Sequence, residues 1–232
     1  KMKGKLLTLS ALMALSPLTM AQQLEVTVTN LTNGIHYTPL VVTAHTDAVS
    51  LFTLGESASA ELQAMAEGGD ISGLVTVLGD ASADVVENPA GGLLAPAAST
   101  TAMLDTDDAN MYLSVAGMML PTNDGFVALN SWPIPTEAGT YTVYLNAYDA
   151  GTEANDEIIN GGGASGTPGI PVAPGGDGGT GATGVTSTEA NEMVHVHRGA
   201  LGDDDPAGGK SDLDNTVHRW LNPVAKVTVV VM

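Results

Sequence analysis

Period-two alternation of apolar and polar residues constrains this chain more than any other feature. Leu24-Glu25-Val26-Thr27-Val28-Thr29 alternates without a break, and Val227, Val229 and Val231 share one face near the C-terminal end. Successive side chains on a strand point to opposite faces, so such runs bury one face and wet the other. Further strand-like runs fall at 39–46, 99–104, 111–119, 126–130, 140–148 and 193–197. Turn signals separate them, among them Asn33-Gly34 and the Pro133/Pro135/Gly139 stretch. Two helical insertions interrupt the series. In the first, Ser59 is placed to cap a helix with Leu62, Met65 and Ala66 on one face and Gly68-Gly69 as its stop. In the second, Asp70 caps a short helix running through Leu78. Many short strands with few helices imply an all-β, antiparallel β-sandwich.

The segment 160–184 is dominated by Gly, Pro, Ala, Ser and Thr and has no period. It reads as an exposed flexible Gly-rich loop or lid. A collagen reading fails, because Gly does not recur at every third position. A second loop, 88–98, is marked by Pro89, Gly91, Gly92 and Pro96.

Residues 1–21 read as a signal peptide. Lys1, Lys3 and Lys5 precede an apolar run from Leu6 to Leu18, and Thr19-Met20-Ala21 supplies small residues at −3 and −1 of a cleavage site. The mature domain is then 22–232. The run is short for a membrane span. Three of the seven basic residues and none of the 26 acidic ones lie in the leader. The mature chain therefore keeps four basic residues against 26 acidic ones. Such a field repels nucleic acid and anionic lipid and attracts cations. With no cysteine, thiolate metal sites, redox chemistry and a lipoprotein anchor are excluded. An exported animal module of this size usually carries disulfides, so the expectation is a bacterial protein, secreted or periplasmic.

Two segments carry the candidate chemistry: Pro121-Thr122-Asn123-Asp124-Gly125-Phe126 and Tyr148-Asp149-Ala150-Gly151-Thr152-Glu153. The first precedes one strand and the second follows another. If those strands pair as an antiparallel hairpin, Asp124 lands beside Asp149 and Glu153. Gly151 permits the tight turn that lets both acids of the second segment face one point. Three gathered carboxylates repel one another unless a cation sits among them. A hard, all-oxygen set favours Ca²⁺, with Asn123, Asn155, Asp156 or backbone carbonyls completing the shell. The plainer reading is that these are ordinary acidic turn residues in an acidic protein. Paired carboxylates also serve glycosidases, but a chain with two Trp offers no aromatic-rich sugar cleft.

Residues 121–130, Tyr148-Asp149-Ala150-Gly151-Thr152-Glu153 and Asn222-Pro223-Val224-Ala225-Lys226-Val227-Thr228-Val229 resemble the spondin N-terminal domain family. The resemblance implies an antiparallel β-sandwich of about eight strands. It also implies one calcium held by Asp124, Asp149 and Glu153, in an exported interaction or cell-adhesion module that is not an enzyme. Two departures stand out. Glu153 replaces an Asp of the animal proteins, and Gly125-Phe126 stands where they carry a Trp. The missing cysteines weaken any transfer of animal matrix partners, leaving an envelope protein or glycan as the expected kind of partner.

His195 and His197 fall on one face of a strand, with Val194 and Val196 on the other. His-x-His is a metal-binding geometry, and His218, His45 or an acid would be the third ligand. A metal-dependent hydrolase built on this pair is the alternative function. The plainer reading is a polar strand face bonded to nearby loops. A third reading is a self-assembling surface or matrix protein, homo-oligomeric through its strand edges. Gly202-Asp203-Asp204-Asp205 and Asp212-Leu213-Asp214-Asn215 suggest either a weak second calcium loop or a solvated acidic loop. They lack EF-hand order. No nucleophile elbow or phosphate loop is present.

Overall fold

A computed structural model describes residues 21–106, 109–176 and 178–232. The signal-peptide expectation for 1–21 thus lies, but for Ala21, outside the described residues. In chain order the elements are β1 (Gln23–Asn30), β2 (His36–Tyr37), β3 (Val41–His45), α1 (Ala60–Gly68), α2 (Ser72–Asp80), β4 (Asp84–Glu87), β5 (Ser99–Asp105), β6 (Tyr112–Leu120), β7 (Gly125–Pro133), β8 (Gly139–Asp149), β9 (His195–Val196) and β10 (Ala225–Val231).

The hydrogen-bonded order is β4-β3-β6-β7-β8-β10-β1-β5, with β2 added to β6 and β9 to β8, and every pairing is antiparallel. The long strand β8 joins two layers. Its first half, Gly139 to Leu145, pairs with β10. Its second half, Asn146 to Asp149, pairs with β7. A strand that changes partners in this way turns the corner of a sandwich. The end strands β4 and β5 approach each other, so the path curls almost into a barrel.

The main core lies between the layers. Leu24, Val26 and Val28 of β1 meet Val227, Val229 and Val231 of β10 and, across the gap, Val42, Val115 and Val127. Tyr37 is fully buried there and donates its hydroxyl to the Val224 carbonyl at 2.6 Å. A second core covers the outer face of the β3/β6/β7 layer. Leu62, Met65 and Ala66 of α1 and Leu74 and Leu78 of α2 pack on Val41, Ala116, Met118 and Phe126. That layer is covered on both faces, so β6 is buried from Leu113 to Leu120 and shows no alternation.

The cap on α1 follows its sequence: the Ser59 hydroxyl accepts the Leu62 N–H at 3.1 Å, and Gly69 closes the helix at φ 73°. Asp70 accepts the Ser72 N–H at 2.9 Å at the head of α2. Among the described residues ten strands form rather than about eight, because β2 and β9 are two-residue additions and β4 carries no periodic pattern. The Gly-rich segment is irregular, as expected, but not uniformly exposed. Ile170 is completely buried in the main core and Ala173 nearly so.

Candidate metal centre

The end of β8 and the start of β7 build the site. Gly125 pairs directly with Asp149, which places Asp124 one residue outside the ladder beside it. On the other side of β8, β9 sets His195 opposite Asp149. The turn before β7 is pinned by Thr122, whose hydroxyl donates to Met119 O at 2.6 Å and accepts the Gly125 N–H at 3.0 Å. Gly151 follows Asp149 at φ 69°, and a Cβ there would strike the backbone of residues 192–193. The glycine is required both by the turn and by the chain crossing over it.

The structure brings Asp124, Asp149 and Glu153 together and buries all three, at 0%, 1% and 5% exposure. Asp124 and Glu153 each have one oxygen held by donors, and Asp149 has both. Asp124 Oδ2 accepts N–H bonds from Thr152 at 2.8 Å and Glu153 at 3.1 Å, tying the two loops together. Asp149 Oδ1 accepts the Gly151 N–H at 2.9 Å, and its Oδ2 accepts the Asn155 amide at 2.8 Å. Glu153 Oε2 accepts the Gly169 N–H at 2.9 Å. Two oxygens, Asp124 Oδ1 and Glu153 Oε1, are buried with no hydrogen-bond partner. Asn123 and Asp156 stand at the same place, bonded to each other at 2.8 Å.

Burial without a counter-charge governs the electrostatics. Burial, then the neighbouring Asp149, pushes the Asp124 carboxyl up to about 8 against the pull of its N–H partners. Burial, with Glu67 and Asp156 adding to it, pushes Glu153 up to about 7. Asp149 is raised chiefly by burial, opposed by Asn155 and His195. Among the described residues, no three acidic or histidine side chains converge closely enough to form a ready metal cage. The donor set is hard oxygen, two of its atoms are orphaned, and the rest is anchored by backbone. Those features fit calcium, which tolerates irregular oxygen shells, but the side chains must draw inward to hold it.

His195 and His197 lie against Asp149 without hydrogen-bonding to it, and they do not gather with His45 or His218. His195 Nε2 and His197 Nε2 lie 3.7 and 3.9 Å from Asp149 Oδ2. His195 Nδ1 donates to Met193 O at 2.8 Å, which leaves the Nε2 lone pair free in the neutral ring. In His197 the Gly199 N–H donates to Nδ1 at 3.0 Å, so the neutral ring carries its proton on Nε2. Burial pushes His197 down to about 3 and keeps it neutral. His45 is engaged elsewhere. Its Nε2 accepts the Ser114 hydroxyl at 2.7 Å and its Nδ1 donates to Thr46 O at 2.8 Å. Both members of that Ser–His pair are completely buried, so it pins the β6 bulge and meets no substrate. His218 Nδ1 accepts the Asp214 N–H.

The second acidic region is built differently. Asp203 Oδ2 accepts N–H bonds from Lys210 and Ser211 at 2.7 and 2.9 Å. Asp212 accepts from Ile159, Thr180 and Ala182. Buried Glu157 accepts from Leu201, Gly202 and the Ser211 hydroxyl. Those bonds hold Asp203 below the usual carboxylate range, and Asp212 likewise against the opposing effect of its burial, while the Thr216 hydroxyl and N–H do the same for Asp214. The loop's own backbone and hydroxyl donors thus satisfy these acids, two of which, Glu157 and Asp212, are buried.

Sequence reasoning passed over Glu67 and Glu189. Glu189 Oε2 accepts the Asn155 amide at 3.2 Å, and Glu67 adds to the repulsion on Glu153. Neither position carries a local signal, since only long-range packing brings them near.

No curated protein matches the chain. The family model described as Spondin_N matches residues 28–158, a span that includes Asp124, Asp149 and Glu153 and stops before the Gly-rich segment and β9. With more than half of its length matched in this way, the chain belongs to the spondin N-terminal domain family.

Proposed function

We propose that this chain is a calcium-stabilised, exported interaction module in which the cation clamps the 121–125 and 149–153 loops. The spondin N-terminal domain suggests an extracellular interaction module of a non-enzymatic kind. No helix among the described residues is long and apolar enough to cross a membrane, which is compatible with export. The observation that carries the calcium reading is the pair of orphaned, buried oxygens, Asp124 Oδ1 and Glu153 Oε1, while the neighbouring histidines lie against Asp149 Oδ2 instead. Leaving such groups unpaired costs about 1–3 kcal/mol each. A hard divalent cation would satisfy both and cancel the repulsion.

In this reading Asp124, Asp149 and Glu153 hold the metal, and Asn123, Asn155 and Asp156 support them. The cation supplies charge neutralisation and order. The partner is an envelope or extracellular protein or glycan recognised by the loops so ordered. The proposed role is binding, and no catalytic step is assigned to His195 or His197. Calorimetric titration tests the site. Calcium is expected to bind with one-to-one stoichiometry and magnesium far more weakly, with calcium binding lost in Asp124→Asn. A protein that takes up no calcium, or that binds it unchanged after this substitution, would remove the reading.

A further inference from the structure

The 163–170 part of the Gly-rich segment is fastened to the body of the domain at three points. Gly169 N donates to Glu153 Oε2 at 2.9 Å. Gly166 N donates to Glu67 Oε2 at 2.5 Å, and Glu67 is itself fully buried at the end of α1. Ile170 inserts into the main core and exchanges backbone bonds with the 158–161 stretch, donating to Ile158 O at 2.8 Å. Close backbone approach adds to these ties: a side chain at Gly68 would collide with the Gly163 carbonyl. The segment also forms one wall of a cavity of about 390 Å³. Glu153, Asp156, Gly166, Pro168, Thr183 and Ser187 line it.

Glu153 belongs to both structures. One oxygen holds the Gly-rich segment, while the other is orphaned and buried in the carboxylate cluster. We propose that residues 163–170 are a calcium-controlled latch, in which cation binding at the cluster fixes Glu153 and through it the docked state of the Gly-rich segment. This rests on the calcium reading above. A bound cation would hold the Glu153 side chain stationary through the oxygen that faces the cluster, so the Gly169 N–H keeps its acceptor in place. Without it, repulsion from Asp124, Glu67 and Asp156 drives Glu153 out of place, and the Gly169 bond goes with it. The cavity wall is complete only when the latch is shut. Calcium would thereby shape a surface beyond its own ligands.

Hydrogen–deuterium exchange on the whole chain, in calcium chloride and in chelator, reads the latch at residues 163–170. Calcium affinity is measured by calorimetry on the same samples. If opening requires the metal to leave, exchange slows by 1 + [Ca²⁺]/Kd, or about 100-fold at a hundred times Kd. Coupling is reciprocal. Ile170→Ala, which loosens the segment without touching an acid, is therefore expected to weaken calcium several-fold while the protein stays folded by circular dichroism. Should that variant not fold, Ile170→Val gives the second reading, with calcium weakened in the same direction by a smaller factor, and faster exchange at 163–170 with unchanged calcium affinity would overturn the latch. Calcium binding with unchanged exchange at 163–170 would overturn the latch and leave the metal site standing. Absence of calcium binding would remove both.

Discussion

Asp203 and Asp124 are the same residue type in similar acidic turns, yet their surroundings drive them in opposite directions. Around Asp203, Asp212 and Glu157, backbone N–H groups of the 157–160, 180–182 and 201–214 stretches turn toward the carboxylates. The negative charge is compensated by the loop itself, and the Asp203 and Asp212 carboxyls lie below their ordinary range. Around Asp124, Asp149 and Glu153, donors reach one side of the cluster only. Asp124 Oδ1 and Glu153 Oε1 remain buried and bare, and their carboxyls lie above the ordinary range. In a chain with so few basic residues, acidic clusters must be satisfied by backbone or by cations. The first cluster uses backbone, and under the calcium proposal the second takes a cation.

The largest effect that separates the two clusters is expected from Glu157→Ala. It strands the Leu201 and Gly202 N–H groups and the Ser211 hydroxyl in a buried setting. The loss should be about 3 kcal/mol in urea unfolding, and equal in calcium and in chelator. A calcium-dependent loss would mean that the two clusters are not independent.

A smaller effect distinguishes the clusters by the sign of their pH dependence. Asp124 and Glu153 bind protons more tightly when folded, with values of about 8 and 7. In chelator the folded state therefore holds more protons than the unfolded state between the ordinary carboxylate range and about pH 8. Stability falls as pH rises through that window. Asp203 and Asp212 act oppositely, and their contribution is lost only as pH falls below the ordinary carboxylate range. Melting temperature in chelator should drop by roughly 5 °C between pH 5 and pH 8, and calcium should abolish the drop. A flat profile in chelator would show that the buried acids are compensated by something other than a cation.

Much of this arrangement was legible from local signals. The alternation of residues 24–29, the Ser59 cap and the Gly69 stop each act within a few residues, and each appears as expected. The gathering of Asp124, Asp149 and Glu153 was also legible, because one antiparallel pairing of the flanking strands is enough to bring them together. Strand β4 was not, since Asp84-Val85-Val86-Glu87 is too short to show a period. The docking of the Gly-rich segment was hidden for a different reason. It depends on the N–H groups of Gly166 and Gly169, which any residue but proline possesses, and on one apolar side chain, Ile170. The same limit applies to the two acid clusters. Sequence shows where the carboxylates are but not which oxygens the backbone reaches.

The most direct test of the account is a thermal melt in calcium, magnesium and chelator at pH 7.5, repeated on Asp149→Asn. The account predicts a large rise in melting temperature specific to calcium and absent from the variant. Equal melting temperatures in calcium and chelator would contradict it, and would make Asp124, Asp149 and Glu153 turn residues that carry their burial without a metal.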